Sequence, residues 1–294
     1  MYHRVSVDGH GGAISVANFR KQMEEVKNKF TPVSLGTLLN NFENNKSVQN
    51  SVVITFDDGY EDFYKYAYPI LRELNIPATI FITTGFVNGD LWLWPDQIRY
   101  ALESISNEID FIKFGDVEVD LRDGIDQAWE KIADYCLSIP EKTKLNLIAR
   151  LYNEQGLELT KVAPSKFRPL SWSNISNIIN SGMEIGNHSH SHPIMARLDD
   201  ESLIKEIIHS KNLIENNLKK TVVHFCYPNG QLVDFDERVK YFLKKNFYQS
   251  ALVAYPGVNP LKNRWEINRY PVGNDWDEFL KTIYGFKYMS LKYN

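Results

Sequence analysis

Residues 51–60 read SVVITFDDGY, and the interpretation of the rest of the chain starts there. Positions 52–56 are a short apolar run rich in β-branched residues, the pattern of a buried strand. The run ends in two adjacent carboxylates, Asp57 and Asp58, followed by Gly59. Neighbouring side chains on a strand point to opposite faces, but at a frayed strand end both can turn into one cleft. Two anions placed there repel unless a cation or a shared proton relieves them. By itself Asp-Asp-Gly is a solvated turn. Two features argue otherwise: the apolar run aimed at the pair, and a second cluster far downstream, GNHSHSHP at 186–193.

Working outward, residues 61–74 are helical, with Phe63, Tyr66, Ala67, Ile70 and Leu74 on one face. Residues 75–77 break that helix, and 78–83 form another buried strand. Upstream, 2–5 reads as a first strand cut short and 7–12 as a Gly-rich loop. Ser15 caps a helix running to about Phe30, and 32–35 and 35–42 form a brief strand and a short helix. Strand and helix alternating at this cadence make parallel βα units, with functional groups at the carboxyl ends of the strands. Residues 85–169 interrupt the cadence with an aromatic patch (LWLWP, 91–95), a β-hairpin at 111–121 and helices near 126–137 and 141–154. The cadence then resumes through strands at 183–186, 222–226, 250–254 and 267–272. Helices are expected at 173–180, 199–218, 235–245 and 275–283. The expectation is a single α/β barrel domain over 1–294, of seven or eight strands and not necessarily complete. A mostly helical insertion at about 86–169 separates two of its strands.

Composition narrows the function. At 294 residues the chain can bury a sizeable core. Lys and Arg total 33 against 37 Asp and Glu, a net charge of −4 that suggests neither a nucleic-acid partner nor an anionic membrane. The aromatic content of 13% is compatible with a sugar-binding cleft and equally with an ordinary core. Cys136 and Cys226 have no CxxC spacing and are too few for a disulfide framework, which fits a reducing compartment. No run is long or apolar enough to span a bilayer. The opening MYHRVSVDGH has no hydrophobic signal region. A cytoplasmic protein is the expectation.

Three of the seven histidines fall within 188–192, at another expected strand end. His188 and His192 are four apart, a spacing that lets two imidazoles converge on one ion. With one carboxylate they make a His2Asp set that leaves a coordination position open, as catalytic zinc sites do. The intermediate His190 should point away and serve the loop. The bland reading, a polar loop with histidines by chance, fits this concentration poorly.

TFDDG at 55–59 together with HSHSH at 188–192 resembles the polysaccharide deacetylase family, metal-dependent carbohydrate esterases built on a deformed (β/α)7-type barrel. YHRV near the start, IPATIFITTG, GNHSHSHP and FCYPNG resemble one subgroup of it. The resemblance covers most of the chain and is weak in the insertion. It implies that Asp58, His188 and His192 hold the metal, Zn2+ with Co2+ or Ni2+ as alternatives, and that Asp57 is the general base. A backbone N–H would help stabilise the oxyanion, and Tyr227, Pro228 and Asn229 would shape the cleft. The implied activity is hydrolysis of an N-acetyl or related acyl group from an amino sugar, oligosaccharide or polysaccharide precursor. Alternatives are an O-acyl or other C–N hydrolase acting on a small molecule, and a carbohydrate-binding pseudoenzyme.

Two departures from the family pattern stand out. Many members carry Arg-x-Pro-Tyr-Gly as a third motif, whereas FCYPNG puts Cys226 at the Arg position. Arg269 is the replacement candidate, because its strand should end at the same face of the barrel. Many members also draw their proton donor from a late histidine, but no histidine follows His224. Among His3, His10, His209 and His224, the YHRV resemblance points to His3, since first and last strands are neighbours in a closed barrel. Trp94, in the aromatic patch, is expected to form part of a substrate wall.

Overall fold

In the computed structural model, which describes residues 1–106, 108–257, 261 and 263–286, the apolar run before the aspartates becomes the buried strand Ile54–Phe56. It pairs in parallel with Ala78–Ile82, followed in order by Glu184–Asn187, His224–Cys226 and Ser250–Leu252. The sheet continues at each edge through one parallel bridge, Tyr2 to Phe56 and Ile267 to Leu252. Backbone bonds then link the two outer segments: Met1 N donates to Tyr270 O at 2.9 Å, and Val272 N to Met1 O at 3.3 Å. The result is a curled, deformed barrel of seven parallel positions, five of them ladder strands. The chain thus has the expected α/β class.

The strands expected at 2–5 and 267–272 shrink to those single bridges. Val5–Ser6 turns away to pair with Ile14–Ser15, and Pro271 has no N–H to donate to a ladder. Helices follow the expected positions closely. Val16–Lys29 is capped by Ser15, whose side chain accepts from Asn18 N, and buries Phe19, Met23 and Val26. The long helix expected at 199–218 is instead three pieces, with a wide π turn at Lys205–His209 between Asp200–Ile204 and Ser210–Leu218. Ser210 Oγ bonds back to the carbonyls of Glu206 and Ile207, which diverts the local ladder.

An aromatic cluster underlies the first aspartate. Tyr2 stacks on Phe56 at 5.2 Å, and Phe19 and Phe63 meet Phe56 edge-on at 5.7 and 4.7 Å. Fully burying one such ring contributes about 1.5–3 kcal/mol, so the segment ending at Asp57 is firmly anchored. At the downstream strand, a Cβ on Gly186 would lie 2.3 Å from the Phe81 ring, so only glycine fits.

The chain forms two compact units, Met1–Asn88 with Arg168–Asn294, and Gly89–Phe167. The second unit contains the helices Trp94–Ser104, Ile125–Ser138 and Glu141–Glu154 and an antiparallel hairpin, Phe111–Phe114 with Val117–Asp120. Among the described residues, no helix is long and apolar enough to cross a membrane.

Candidate metal centre

Asp57 and Asp58 follow directly on Ile54–Phe56, and His188 follows directly on Glu184–Asn187, so both clusters stand at carboxyl ends of sheet strands. Here the backbone takes conformations that ordinary residues avoid. Asp58, Ser189 and His192 have φ of 74°, 67° and 60°, a left-handed geometry costing of order 1–3 kcal/mol per residue. Neighbouring bonds hold it: Thr83 N donates to Asp58 O (3.1 Å), Thr84 N to Ser189 O (3.1 Å), and His192 N to Ser189 Oγ (3.0 Å). Gly59 follows at φ 91°, against the Ile82 side chain.

This geometry turns Asp58, His188 and His192 toward one point. Nε2 of His188 and of His192 lie 3.4 and 3.6 Å from Asp58 Oδ1. One ligand atom from each residue falls within 4.8 Å of the others. Asp58 Oδ1 is buried and makes no hydrogen bond, an arrangement that is costly for a carboxylate unless a cation faces it. His188 Nδ1 lies 2.8 Å from Cys226 O. Donation of Nδ1–H to that carbonyl leaves the Nε2 lone pair aimed at Asp58, the usual support for a metal-binding histidine. The residues present therefore fit a divalent ion with three protein ligands.

Asp57 faces a different environment. Arg269 grips it through two bonds, Nη1 to Oδ1 and Nη2 to Oδ2, both 2.7 Å, with both side chains buried. Burial alone would raise the Asp57 carboxyl, but the Arg269 guanidinium holds it well below the usual carboxylate range. The remaining Arg269 donors are also engaged: Nε with Val253 O (2.9 Å), Nη1 with Thr55 Oγ1 (3.3 Å) and Nη2 with Cys226 Sγ (2.9 Å). A second donor set, Asp57, His188 and Cys226, also lies within 4.8 Å. Its carboxylate is already neutralised by Arg269, and burial pushes the Cys226 thiol up, keeping it protonated. The Asp58 set is thus the better metal site, and Cys226 is a packed thiol rather than a nucleophile.

The remaining residues singled out from the sequence separate clearly. His3 Nε2 lies 3.9 Å from Asp57 Oδ2, with its side chain 48% exposed. The Tyr2–Phe56 bridge puts it there, since Asp57 N donates to Tyr2 O at 3.0 Å. His10 is exposed, His209 meets the His190 ring at 4.9 Å, and His224 is buried against Ser250 Oγ at 2.8 Å. His190 points away from the ligand triad, its Nδ1 2.9 Å from Thr84 Oγ1. Pro228 is buried and Asn229, at φ 57°, is partly exposed.

Two expectations need correction. Tyr227 is fully buried, stacked on Phe235 at 4.0 Å, with its hydroxyl bonded to Trp265 O and its N–H to Leu252 O. It is a core residue with no group left for a substrate. Trp94 is only 7% exposed, and Lys144 Nζ lies 4.6 Å over its ring. It belongs to the core of the insertion and offers no face to a sugar.

The sequence reading missed Thr55, although its place two residues before Asp57 puts it on the same strand face. It also missed Glu206, whose buried carboxylate accepts from the backbone N–H groups of His190 and Ser191 and from Ser191 Oγ. No local pattern around Glu206 announces that contact.

A curled parallel sheet carries a carboxylate–histidine triad at its carboxyl ends, with an arginine-held aspartate beside it, and the triad is a candidate metal site. The family model described as polysaccharide deacetylase matches residues 44–110 and 130–251, more than half of the chain. The chain belongs to that family. Staphylococcus aureus poly-beta-1,6-N-acetyl-D-glucosamine N-deacetylase is 40% identical over 81 residues, 26% of this chain and 27% of the relative. The Bacillus subtilis protein YxkH is 34% identical over 103 residues, 34% of this chain and 36% of the relative. The chain thus spans about a third of the length of the curated relatives it matches. Among solved structures, Streptococcus pyogenes deacetylase PplD superposes with a TM-score of 0.64 at 16% identity, covering 96% of both chains. IcaB from Ammonifex degensii gives 0.60 at 16% identity, covering 96% of this chain and 93% of its own. At these identities the structural likeness is one of fold.

Proposed function

We propose that this protein hydrolyses the N-acetyl group of an amino-sugar residue in a saccharide, releasing acetate and a free amine. The observation that carries the proposal is the pairing of two adjacent carboxylates in opposite roles. Asp58 Oδ1 makes no hydrogen bond and faces two imidazoles, while Asp57 is held ionised by Arg269. Family membership and the activity of the S. aureus relative support the substrate class.

Asp58, His188 and His192 would hold a divalent ion, Zn2+ in our reading. When bound, such an ion supplies Lewis acidity and positive charge for a developing oxyanion. Asp57 takes the proton of the attacking water, and Arg269 keeps it ionised and oriented without consuming it. Water oxygen adds to the acetamide carbonyl, the C–N bond breaks, and the nitrogen must be protonated as it leaves. His3 is our candidate for that donor, supported by its 3.9 Å approach to Asp57 and its half-exposed side chain. The Asn229 N–H, for which no backbone partner occurs among the described residues, is our candidate for a second oxyanion contact. His3 from the YHRV opening, and Arg269 with Cys226 in FCYPNG, also support the narrower subgroup.

The test is acetate release by zinc-loaded protein from β-1,6- and β-1,4-linked N-acetylglucosamine oligomers and from an O-acetylated sugar, with Asp57→Asn as the control. Release from an N-acetylated oligomer that Asp57→Asn abolishes is expected. Release only from the O-acetylated sugar, or none from any of them, would overturn the proposal.

A further inference from the structure

We infer that Glu206 is a positioning residue that sets the metal affinity of the His188–His192 loop while lying outside the ligand set. The inference rests on the metal assignment above and goes beyond it. Residues 189–191 connect the two histidine ligands, and the loop must wind left-handed at Ser189 and again at His192 to bring both Nε2 atoms to Asp58. Such a path does not sustain itself, because non-glycine residues disfavour it. Glu206 supplies the constraint. One carboxylate oxygen accepts from His190 N (2.7 Å) and Ser191 N (2.9 Å), and the other from Ser191 Oγ (2.7 Å).

Two further observations support a dedicated role. Glu206 is 7% exposed, and its carboxylate spends both oxygens on these three bonds from the loop. It also lies within the π turn Lys205–His209, and π turns inside α-helices recur at functional sites. From the opposite side the loop is held by Gly85 N donating to His190 O (2.8 Å) and by the contact between His190 Nδ1 and Thr84 Oγ1. The loop is thus clamped between Glu206 and the start of Thr84–Asn88. Supporting partners of metal ligands typically command roughly 10–100-fold in affinity.

Glu206→Gln is the decisive variant, because a neutral amide replaces the carboxylate: only its carbonyl oxygen still accepts from the two backbone N–H groups, its NH2 reverses the Ser191 contact, and the charge that strengthens all three bonds is gone. Zinc affinity is measured by competition with a chromogenic chelator, alongside the thermal midpoint of the zinc-free protein and turnover at saturating zinc. A drop of roughly 10–100-fold in affinity, with turnover recovered near wild type at saturating zinc, is expected. Wild-type affinity in Glu206→Gln would overturn the inference. So would turnover that stays lost at saturating zinc. If that variant fails to fold, Ser191→Ala removes one of the three bonds and keeps both backbone ones; unchanged affinity there would likewise overturn it. His192→Ala separates the two levels. Zinc retained by His192→Ala overturns the metal assignment itself, whereas zinc lost by His192→Ala but kept by Glu206→Gln overturns only the role of Glu206.

Discussion

Arg269 and Asp57, 212 residues apart, meet through two parallel 2.7 Å hydrogen bonds inside the barrel. A fork-to-carboxylate pair of this kind is directional, which a lysine ammonium cannot reproduce. Arg269→Lys should therefore lose roughly ten- to a hundredfold in turnover, as supporting partners at metal sites commonly do, with metal retained. In Arg269→Ala the Asp57 carboxyl, freed of its cation, should rise toward or above the usual carboxylate range. The acid limb of the kcat/KM profile should then move to higher pH. The folded-state carboxyl is depressed, so the stability it contributes is present above its unfolded value, about 3.9, and is lost as pH falls below it. Thermal midpoints of wild type and Arg269→Ala should accordingly differ at neutral pH and converge below about pH 4. An unmoved acid limb would contradict the pairing.

Asp57→Asn keeps the shape of the side chain and removes the base. Turnover should fall by roughly two to four orders of magnitude, while zinc content measured by atomic absorption stays near one per chain. Loss of zinc together with activity would mean that the two adjacent aspartates have exchanged roles.

His192→Ala removes a ligand rather than a support. Zinc affinity should fall by more than the roughly 10–100-fold typical of supporting residues. Equilibrium dialysis reads this directly, and full zinc content in the variant would exclude His192 from the ligand set.

His3→Asn tests the proton donor. The expected result is normal zinc binding with turnover lowered by roughly two orders of magnitude or more. The loss should be smaller on an activated anilide whose leaving group needs less protonation. Near-normal turnover on the sugar would move the role elsewhere, and His10→Asn would be the next variant to measure.

Trp94→Ala should act on stability and leave binding alone. Truncating a buried tryptophan costs about 3–5 kcal/mol, so the thermal midpoint should drop while KM for the saccharide stays within about twofold. A raised KM in a variant that remains folded would restore Trp94 to the substrate wall.

What the sequence determined by itself was local: a strand running into Asp57-Asp58, two histidines four apart after a second strand, and a βα cadence broken by one insertion. Each of these lies within a few residues, where strand alternation and turn chemistry act directly. Arg269 was legible as the candidate for the missing third-motif arginine, and His3 as the histidine that the YHRV resemblance points to, but neither could be placed against Asp57 from sequence. Barrel closure made both specific, by seating Ile267 beside Leu252 and Tyr2 beside Phe56. The burial of Tyr227 and Trp94 and the reach of Glu206 to the metal loop had no local signature at all. Those features depend on which distant segments pack together, and aromatic or acidic residues look alike in sequence whether they line a cleft or fill a core. Only the tertiary structure decided them, because parallel pairing and helix packing are satisfied between elements far apart in the chain.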